Sequence, residues 1–318
     1  SYIGFETQEI PVGTQTNFNV VLKEDLQELD EVVVIGYGTQ KRADVTSAVS
    51  TVKAEDFVKG NVKDAAQLIQ GKVAGLTISA PSGDPTEGTQ IKLRGVSSLT
   101  GGTAPLVLVD GVPASLSTVA PEDIETIDVL KDGSATAIYG TRGTNGVIII
   151  SNKQGTYNER PNIEYNGYSS LSTISEKMDF LDADELREKY AEGYEFVGAN
   201  LQDFGHSTDW LDEITRDAVS QVHNLIFRGG NDATNITASI NYRDLEGIFL
   251  KSETEKYTGR ISVNHAMFDN KLKTNIAVIA SEQVFNALGD GTSFALGDGT
   301  SFDPYIYRQA IIRNPTEP

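Results

Sequence analysis

Segments in which apolar and polar residues alternate strictly dominate the second half of the chain. In the clearest of them, from residue 235 to 242, every second residue is apolar, namely Ile236, Ala238, Ile240 and Tyr242. Similar alternation recurs at 257–268 and at 271–282. Successive side chains of a strand point to opposite faces, so each segment is predicted to be a strand with one apolar and one polar face. Such strands suit a half-exposed soluble sheet and the wall of a membrane barrel equally well.

The connections between these strands favour the barrel. Strands are predicted at 163–174, 222–228, 235–243, 257–268 and 271–282. A long segment with helical patches at 183–190 and 209–215 follows the first strand, whereas short turns at 229–232 and 269–270 follow the second and the fourth. Alternating long and short connections are typical of outer-membrane barrels, which have extended external loops and tight periplasmic turns. A soluble extracellular β-rich module for glycan binding or adhesion is the alternative.

Residues 44–155 have the pattern of a compact domain with short mixed elements. A helix is predicted from a cap at Asn61 to Val73, where Gly75 ends it. One face of it has residues at spacings of three and four: Ala65, Leu68, Ile69, Lys72 and Val73. Strands are predicted at 90–94, 106–109, 126–130 and 146–151, with short helical turns at 121–125 and 134–139 and a two-residue turn at 110–111.

The first part of the chain contains an isolated strand-like run. Residues 1–28 alternate like the last strands of a small β-sandwich, and a charged connector leads to Val32–Ile35, which the breaker Gly36-Tyr37-Gly38 follows. A β-branched strand between flexible polar segments is suited to adding itself to the sheet edge of a partner protein. An edge strand of the preceding sandwich is the other interpretation, and the residues alone do not separate the two.

Length, composition and charge narrow the possible functions. The 318 residues include no cysteine, which excludes disulfides and zinc-thiolate sites. The net charge of -19 argues against a surface that binds nucleic acid. The longest apolar runs, Val32–Ile35 and residues 147–150, are far shorter than the roughly 20 residues of a membrane-spanning helix. No secretion signal is recognisable in the opening SYIGFETQEI, so we expect the start to be internal to a longer precursor.

The sequence offers no constellation for catalysis or for binding a metal or cofactor. His206, His223 and His265 are far apart and lie in unlike contexts. The glycine-rich run at 140–143 lacks the Gly-Lys-Ser/Thr ending of a phosphate loop. We therefore predict no enzyme activity, no cofactor and no metal. The single Trp210 is predicted to pack a loop helix against the wall, with an aromatic platform for a sugar as the alternative.

Residues 287–302 read ALGDGTSF twice in succession. Each copy offers one carboxylate, whereas calcium takes six to eight oxygen ligands, so a flexible external loop is the favoured interpretation over a calcium site.

Four motifs resemble those of the SusC/RagA family of TonB-linked outer-membrane transporters. They are LDEVVVIGYGTQKR, LRGVSSLTGGTAPLVLVDGVP, DIETIDVLKDGSATAIYGTRGTNGVIIISNKQG and TDWLDEITR, in the order in which the family has them. The opening SYIGFETQEI and NFNVVL are also similar to the end of the carboxypeptidase-regulatory-like domain that precedes the plug in that family. The resemblance covers residues 1–285.

The resemblance implies a domain order and a fold class. Residues 1–28 would end the regulatory-like sandwich, 29–43 would hold the TonB box and a linker, and 44–156 would form the plug. The fold class is an α+β plug domain followed by the first antiparallel strands of a transmembrane β-barrel, at 157–318. A barrel of about 22 strands has a lumen wide enough to need a plug, and this chain would supply about five of them.

The resemblance also implies partners and a location. The TonB box, on which TonB would pull, comprises Asp30, Glu31, Val32, Val33, Val34, Ile35, Gly36 and Tyr37. The expected cargo is an oligosaccharide or a peptide, imported through a barrel that sits in outer-membrane lipid with its plug and TonB box facing the periplasm. A SusD-like lipoprotein lid over the external loops and a homodimer of transporter–lid pairs are expected as well.

Five plug residues are candidates for anchoring or gating. Arg94 with Gly95, and Arg142, could pair with acidic residues on the inner wall of the barrel. Solvated loop arginines are the alternative. Asp110 and Gly111 could lie at an apex that faces the substrate, although a plain hairpin turn is favoured.

Overall fold

The computed structural model describes most of the chain after residue 48. The described residues are 32–35 and 38–41 (backbone only), 49–80, 84–86, 88–94, 102–131, 139–194, 202–286, 310 and 313–318. The predicted sandwich end at 1–28 and the duplicated segment at 287–302 lie outside them. The chain divides into two compact units, residues 1–46 and 47–318. Within the described residues, no helix is both long and apolar enough to cross a membrane.

A short hairpin is the described part of the first unit. Strand β1 (Val32–Ile35) pairs antiparallel with β2 (Gly38–Lys41), so that Val32 lies opposite Lys41. The β-branched residues of β1 favour an extended backbone. Among the described strands, β1 and β2 pair only with each other, which leaves the second edge of β1 without a described partner.

The plug sheet opens the second unit. Its five strands have the order β3-β8-β9-β6-β7, in which only β6 and β9 are parallel neighbours. They are β3 (Val49–Lys53), β6 (Leu106–Val109), β7 (Val112–Pro113), β8 (Ile124–Leu130) and β9 (Val147–Asn152). A separate hairpin pairs β4 (Leu76–Ser79) with β5 (Gln90–Leu93). All strands predicted for the plug are therefore present.

The core of the plug lies on both faces of β9. Ile148 and Ile150 pack in one buried cluster, while Val147 and Ile149 pack in a second. A strand covered on both faces is apolar throughout, which explains the uninterrupted run. Gly146 precedes it with a φ of +88°, and a Cβ there would lie 2.1 Å from the side chain of Leu93. No residue larger than glycine fits this close approach.

The helix predicted from Asn61 to Val73 is wrong. That stretch consists of turns around a single 3₁₀ turn at Gln67–Ile69, although the four apolar residues of the predicted face are buried. Asp64 accounts for the difference, because its Oδ1 accepts hydrogen bonds from the backbone N–H groups of Ala66 at 3.0 Å and Gln67 at 3.4 Å. Such local side-chain bonds compete with the helix ladder. The turn predicted at 121–125 is also 3₁₀, over Pro121–Asp123.

Five antiparallel strands in sequence order form the second sheet, here called the wall. They are β10 (Asn162–Ser172), β11 (Ala218–Gly230), β12 (Thr234–Glu246), β13 (Glu253–Met267) and β14 (Leu272–Asn286). All five predicted strands are present, and β11 to β14 are longer than predicted. Strands of 11 to 15 residues are long enough to cross a bilayer, which takes about 9 to 11.

The connections of the wall alternate in length. The link from β10 to β11 spans residues 173–217 and holds α1 (Ala183–Ala191) and α2 (Trp210–Ile214), close to the predicted helical patches. Asp182 and Asp209 cap these helices by accepting backbone N–H groups of the first turn. At the opposite edge of the sheet, β11–β12 and β13–β14 are joined by tight turns. The long connections therefore join the strands at one end of the wall and the tight turns join them at the other end, as predicted.

Candidate plug–wall interface

The wall buries its polar face and exposes its apolar face. On β12, the side of the strand that faces the plug holds buried polar residues: Asn235, Thr237, Ser239, Asn241 and Arg243. On the other side, Ile240 is 68% exposed and Ile236 37%. Strand β13 repeats the pattern, with Thr258 and Arg260 buried and Ile261 47% exposed. A soluble sheet would bury its apolar face, so this polarity fits a wall with lipid outside and a polar lumen inside.

An ion pair between Arg243 and Glu122 joins the wall to the plug. The Arg243 side chain, 1% exposed, donates from one nitrogen to both carboxylate oxygens of Glu122, at 2.7 and 2.9 Å. Its other terminal nitrogen donates to the carbonyl of Val62. Asn241 donates to the same carboxylate at 3.0 Å. A buried guanidinium with these partners ties a wall strand to two separate plug segments.

Asp123 extends this network along the wall. Its carboxylate accepts hydrogen bonds from Ser239 and, at 3.3 Å, from Asn224, which also bonds to Asn241. Burial raises the pKa of the Asp123 carboxyl, and the hydrogen bonds from Ser239 and Asn224 oppose that rise. Plug carboxylates and wall donors thus face each other across β11 and β12.

A second ion pair joins the wall to the β6–β7 turn of the plug. Arg260, on β13, donates to Asp110 at 3.3 Å and to the carbonyl of Lys153 at 3.1 Å. Asp110 also accepts from the backbone and the side chain of Asn152, at 2.9 and 2.8 Å. One guanidinium therefore contacts the β6–β7 turn and the segment after β9, both of which belong to the plug.

The predicted plug residues occupy different places. Asp110 and Gly111 form the expected two-residue turn, with φ of +47° and +85°, and Asp110 takes part in the ion pair with Arg260. Arg94 directly follows β5 and Arg142 lies in a 3₁₀ turn; both side chains are exposed. Gly95 lies outside the described residues. An anchoring role for Arg94 or Arg142 stays a prediction.

The sequence interpretation named Asp110 but missed the other three residues of the two ion pairs, because the signs of the charges are reversed. The arginines lie on the wall and the carboxylates on the plug, whereas plug arginines and acidic wall residues were expected. A signal was present in the sequence. Arg243 and Arg260 continue the polar face of strands whose other face is apolar, which places them inside a barrel.

Trp210 packs against the last residues of the chain. Its indole N–H donates to the carbonyl of Asn314 at 3.1 Å, and the guanidinium of Arg313 lies 4.5 Å from the ring centroid. Since Arg313 covers a face of the ring, that face is not free to stack on a sugar.

Neither the histidines nor the described acidic residues form a metal site. His223 bonds to Tyr165 and His265 to Thr234, on different strands, and no metal-binding cluster occurs among the described residues.

The proposed TonB box is described only in part. The backbone of Val32–Ile35 forms β1, whereas Asp30, Glu31, Gly36 and Tyr37 lie outside the described residues.

Comparison with known proteins identifies close relatives of the chain. A family model for the TonB-dependent receptor plug domain matches residues 41–147. The TonB-dependent receptor SusC of Bacteroides thetaiotaomicron is 41% identical over 288 residues, which cover 87% of this chain and 28% of SusC. TonB-dependent receptor P3 of Formosa agariphila is 42% identical, over 81% of this chain and 25% of that protein.

Solved structures agree with these relatives. The RagAB peptide importer in its open-open state superposes with a TM-score of 0.70 at 30% identity, over 80% of this chain and 32% of that one. The siderophore receptor PirA of Acinetobacter baumannii, at 17% identity and a TM-score of 0.52, shares the fold. The chain spans about a third or less of the length of each of these proteins.

Proposed function

The chain belongs to the SusC/RagA family of TonB-dependent transporters, and on that premise we propose that the whole protein imports an oligomeric nutrient, a glycan or a peptide, across the outer membrane. The chain combines an α+β plug domain with the first antiparallel strands of a transmembrane β-barrel. The single observation that carries the proposal is the polarity of the wall, which exposes Ile240 and buries Arg243.

The membrane location follows from that polarity. Exposed apolar side chains such as Ile240, Ile276 and Val278 would be costly in water, and they become favourable when lipid surrounds the sheet. Strands β11, β12 and β13 have a hydrogen-bonded neighbour on each side, and the remaining strands of the barrel would satisfy the outer edges of β10 and β14, as a spanning structure requires. We place the long connections outside the cell and the tight turns in the periplasm, with outer-membrane lipid around the apolar face.

The plug closes the lumen at rest, and the two ion pairs hold it there. Removing one partner of a buried ion pair costs about 3–5 kcal/mol, because the other charge remains buried without compensation. The pairs of Arg243 with Glu122 and of Arg260 with Asp110 therefore resist displacement of the plug. Opening requires mechanical work from outside the barrel.

TonB supplies that work through the TonB box at residues 30–37. A partner strand that adds to the edge of β1 forms main-chain hydrogen bonds, which give affinity without a preformed pocket. The second edge of β1, which has no partner among the described strands, suits such an addition. We also propose a SusD-like lipoprotein lid and a homodimer of transporter–lid pairs. Import needs no covalent chemistry, so no catalytic residue, cofactor or metal is proposed.

Deleting residues 30–37 from the full-length protein tests the proposal. We expect loss of energy-dependent uptake and growth on the cognate nutrient, with binding of that nutrient at the cell surface intact. A finer variant is Val33→Pro, which removes a main-chain donor from the strand, with Val33→Ile as its matched control. Undiminished uptake by the deletion variant would show that the proposed TonB box is not needed.

A further inference from the structure

A cavity of about 440 Å³ lies between the plug and the wall. Lys256, Gln283 and Phe285 line it from the wall, and the remaining lining residues come from the plug. Lys256 lies near the start of β13 and Phe285 near the end of β14. The cavity is therefore at the end of the wall where the long connections join the strands. In the proposed orientation it faces the outside. Its volume is typical of small-molecule sites, which run from about 300 to 1,000 Å³.

The ammonium group of Lys256 is the most unusual feature of this cavity. Lys256 is 6% exposed, and its Nζ donates one long hydrogen bond, 3.4 Å, to the carbonyl of Val119. No carboxylate of the described residues lies within ion-pair distance of it, and the nearby Glu122 already pairs with Arg243. An ammonium has three donors, and burying it without an anionic partner is costly. Among the described residues, this ammonium group therefore has no ion-pair partner.

The other polar groups of the cavity also suit an anion. Lys63 lines it and donates to the carbonyl of Asp84, and the hydroxyls of Ser115 and Ser117 lie at the same surface. The Oγ1 of Thr89 is buried and has no hydrogen-bond partner among the described residues. These groups supply further donors close to Lys256.

Asp64 is the one acidic residue of the described lining. Its Oδ1 accepts backbone N–H groups of the turn that follows it, which holds that oxygen in the plug. Lys63 and Lys256 are the basic residues of the described lining.

We propose that this cavity binds a carboxylate group of the imported nutrient, with Lys256 as its ionic partner. The inference rests on the proposed function and narrows its cargo to acidic oligomers. Ammonium–carboxylate hydrogen bonds are short and about twice as strong as neutral ones. Such a carboxylate could belong to a uronic acid in a glycan or to an acidic residue in a peptide, and both present the same chemistry to Lys256.

Binding to the full-length protein in detergent tests the proposal by isothermal titration calorimetry. The probes are trigalacturonate against its methyl ester, and triglutamate against triglutamine, both peptides with amidated C-termini, so that only one member of each pair carries carboxylates. We expect one acidic probe to bind about 10-fold or more tightly than its neutral counterpart. Which pair discriminates identifies the source of the carboxylate.

Substitutions at Lys256 make the test specific. Lys256→Gln should abolish the preference for the acidic probe, whereas Lys256→Arg should keep the preference within about threefold because the charge remains. Lys92→Gln is the matched control, since Lys92 is exposed on β5 while its neighbour Ile91 lines the cavity. Retained preference in Lys256→Arg also shows that the site tolerates substitution and that the barrel folds.

Two results would overturn the inference. One is equal binding, or no binding, of the acidic and neutral members of both pairs. The other is an unchanged preference in Lys256→Gln. Neither result bears on import itself, because calorimetry needs no TonB and no energy source, and the deletion of residues 30–37 tests import separately.

Discussion

Glu122→Gln is the substitution that tests the plug–wall ion pair most sharply. It leaves the guanidinium of Arg243, 1% exposed, without its anion, while it keeps the size of the side chain and one of its two acceptor oxygens. Breaking a buried pair in this way costs about 3–5 kcal/mol. At 1.4 kcal/mol for each factor of ten, the plug should leave the wall at least about 100 times more often.

Hydrogen exchange of the plug amides in the full-length protein measures this opening, because exchange reports local free energies below global unfolding. Glu125→Gln is the matched control, since Glu125 lies in the same segment but is exposed. A double variant with Arg243→Met should lose less than the sum of the single changes, because no buried charge is then left unpaired. If Glu122→Gln changes exchange no more than Glu125→Gln does, the ion pair does not hold the plug.

Three further predictions concern the wall and the plug. Ile240→Arg or Val263→Arg should weaken membrane assembly by about 2–4 kcal/mol, measured as the folded fraction in lipid vesicles, while Ile240→Leu should assemble normally. Because burial raises the pKa of Asp123, the folded state binds its proton more tightly than the unfolded state does, so this group's contribution to stability should rise as pH falls through the raised pKa towards the ordinary value of 3.8. Chemical denaturation should show this dependence, and Asp123→Asn should remove it; an unchanged profile would contradict the assignment. Gly146→Ala should destabilise the plug by more than about 2 kcal/mol in the same assay, whereas Gly71→Ala, where nothing lies within 4 Å, should cost about 1 kcal/mol, and equal losses would refute the packing argument.

The wall was predictable because its period of two is strict over the membrane band. The ends of the wall strands were not predictable, because the side chains on the outward face are polar there. Residue 244 of β12 and residue 255 of β13 are directly opposed and both acidic, which removes the alternation that marked the strand. Strand β12 therefore continues to Glu246, beyond the predicted end at 243. A strand that leaves the lipid keeps its backbone pairing but loses its pattern.

The plug was predicted less completely, for a local reason. Residues such as Ala65 and Ile69 have helical spacing, yet turns bury them equally well, and the side chain of Asp64 decides between the two. The spacing of apolar residues predicts which side chains are buried, but it does not determine whether the backbone that carries them is helical.

The interface was the part that sequence patterns located only in outline. An ion pair between plug and wall was expected, but the partner of a charge depends on how two distant segments face each other. Glu122 and Arg243 are 121 residues apart. The polar face of β12 predicts that Arg243 points into the lumen, whereas only the assembled structure shows which plug carboxylate it meets.

Lipid contact along the wall is the central claim, and site-specific labels test it most directly. The chain contains no cysteine, so a single introduced cysteine labels one site in it. A fluorophore at residue 240 or 261 of the full-length protein in vesicles should be quenched by a lipid-borne quencher, whereas one at residue 239 or 262, on the buried polar face, should not. Strong quenching by a water-soluble reagent at residues 240 and 261, with none from the lipid, would contradict the account.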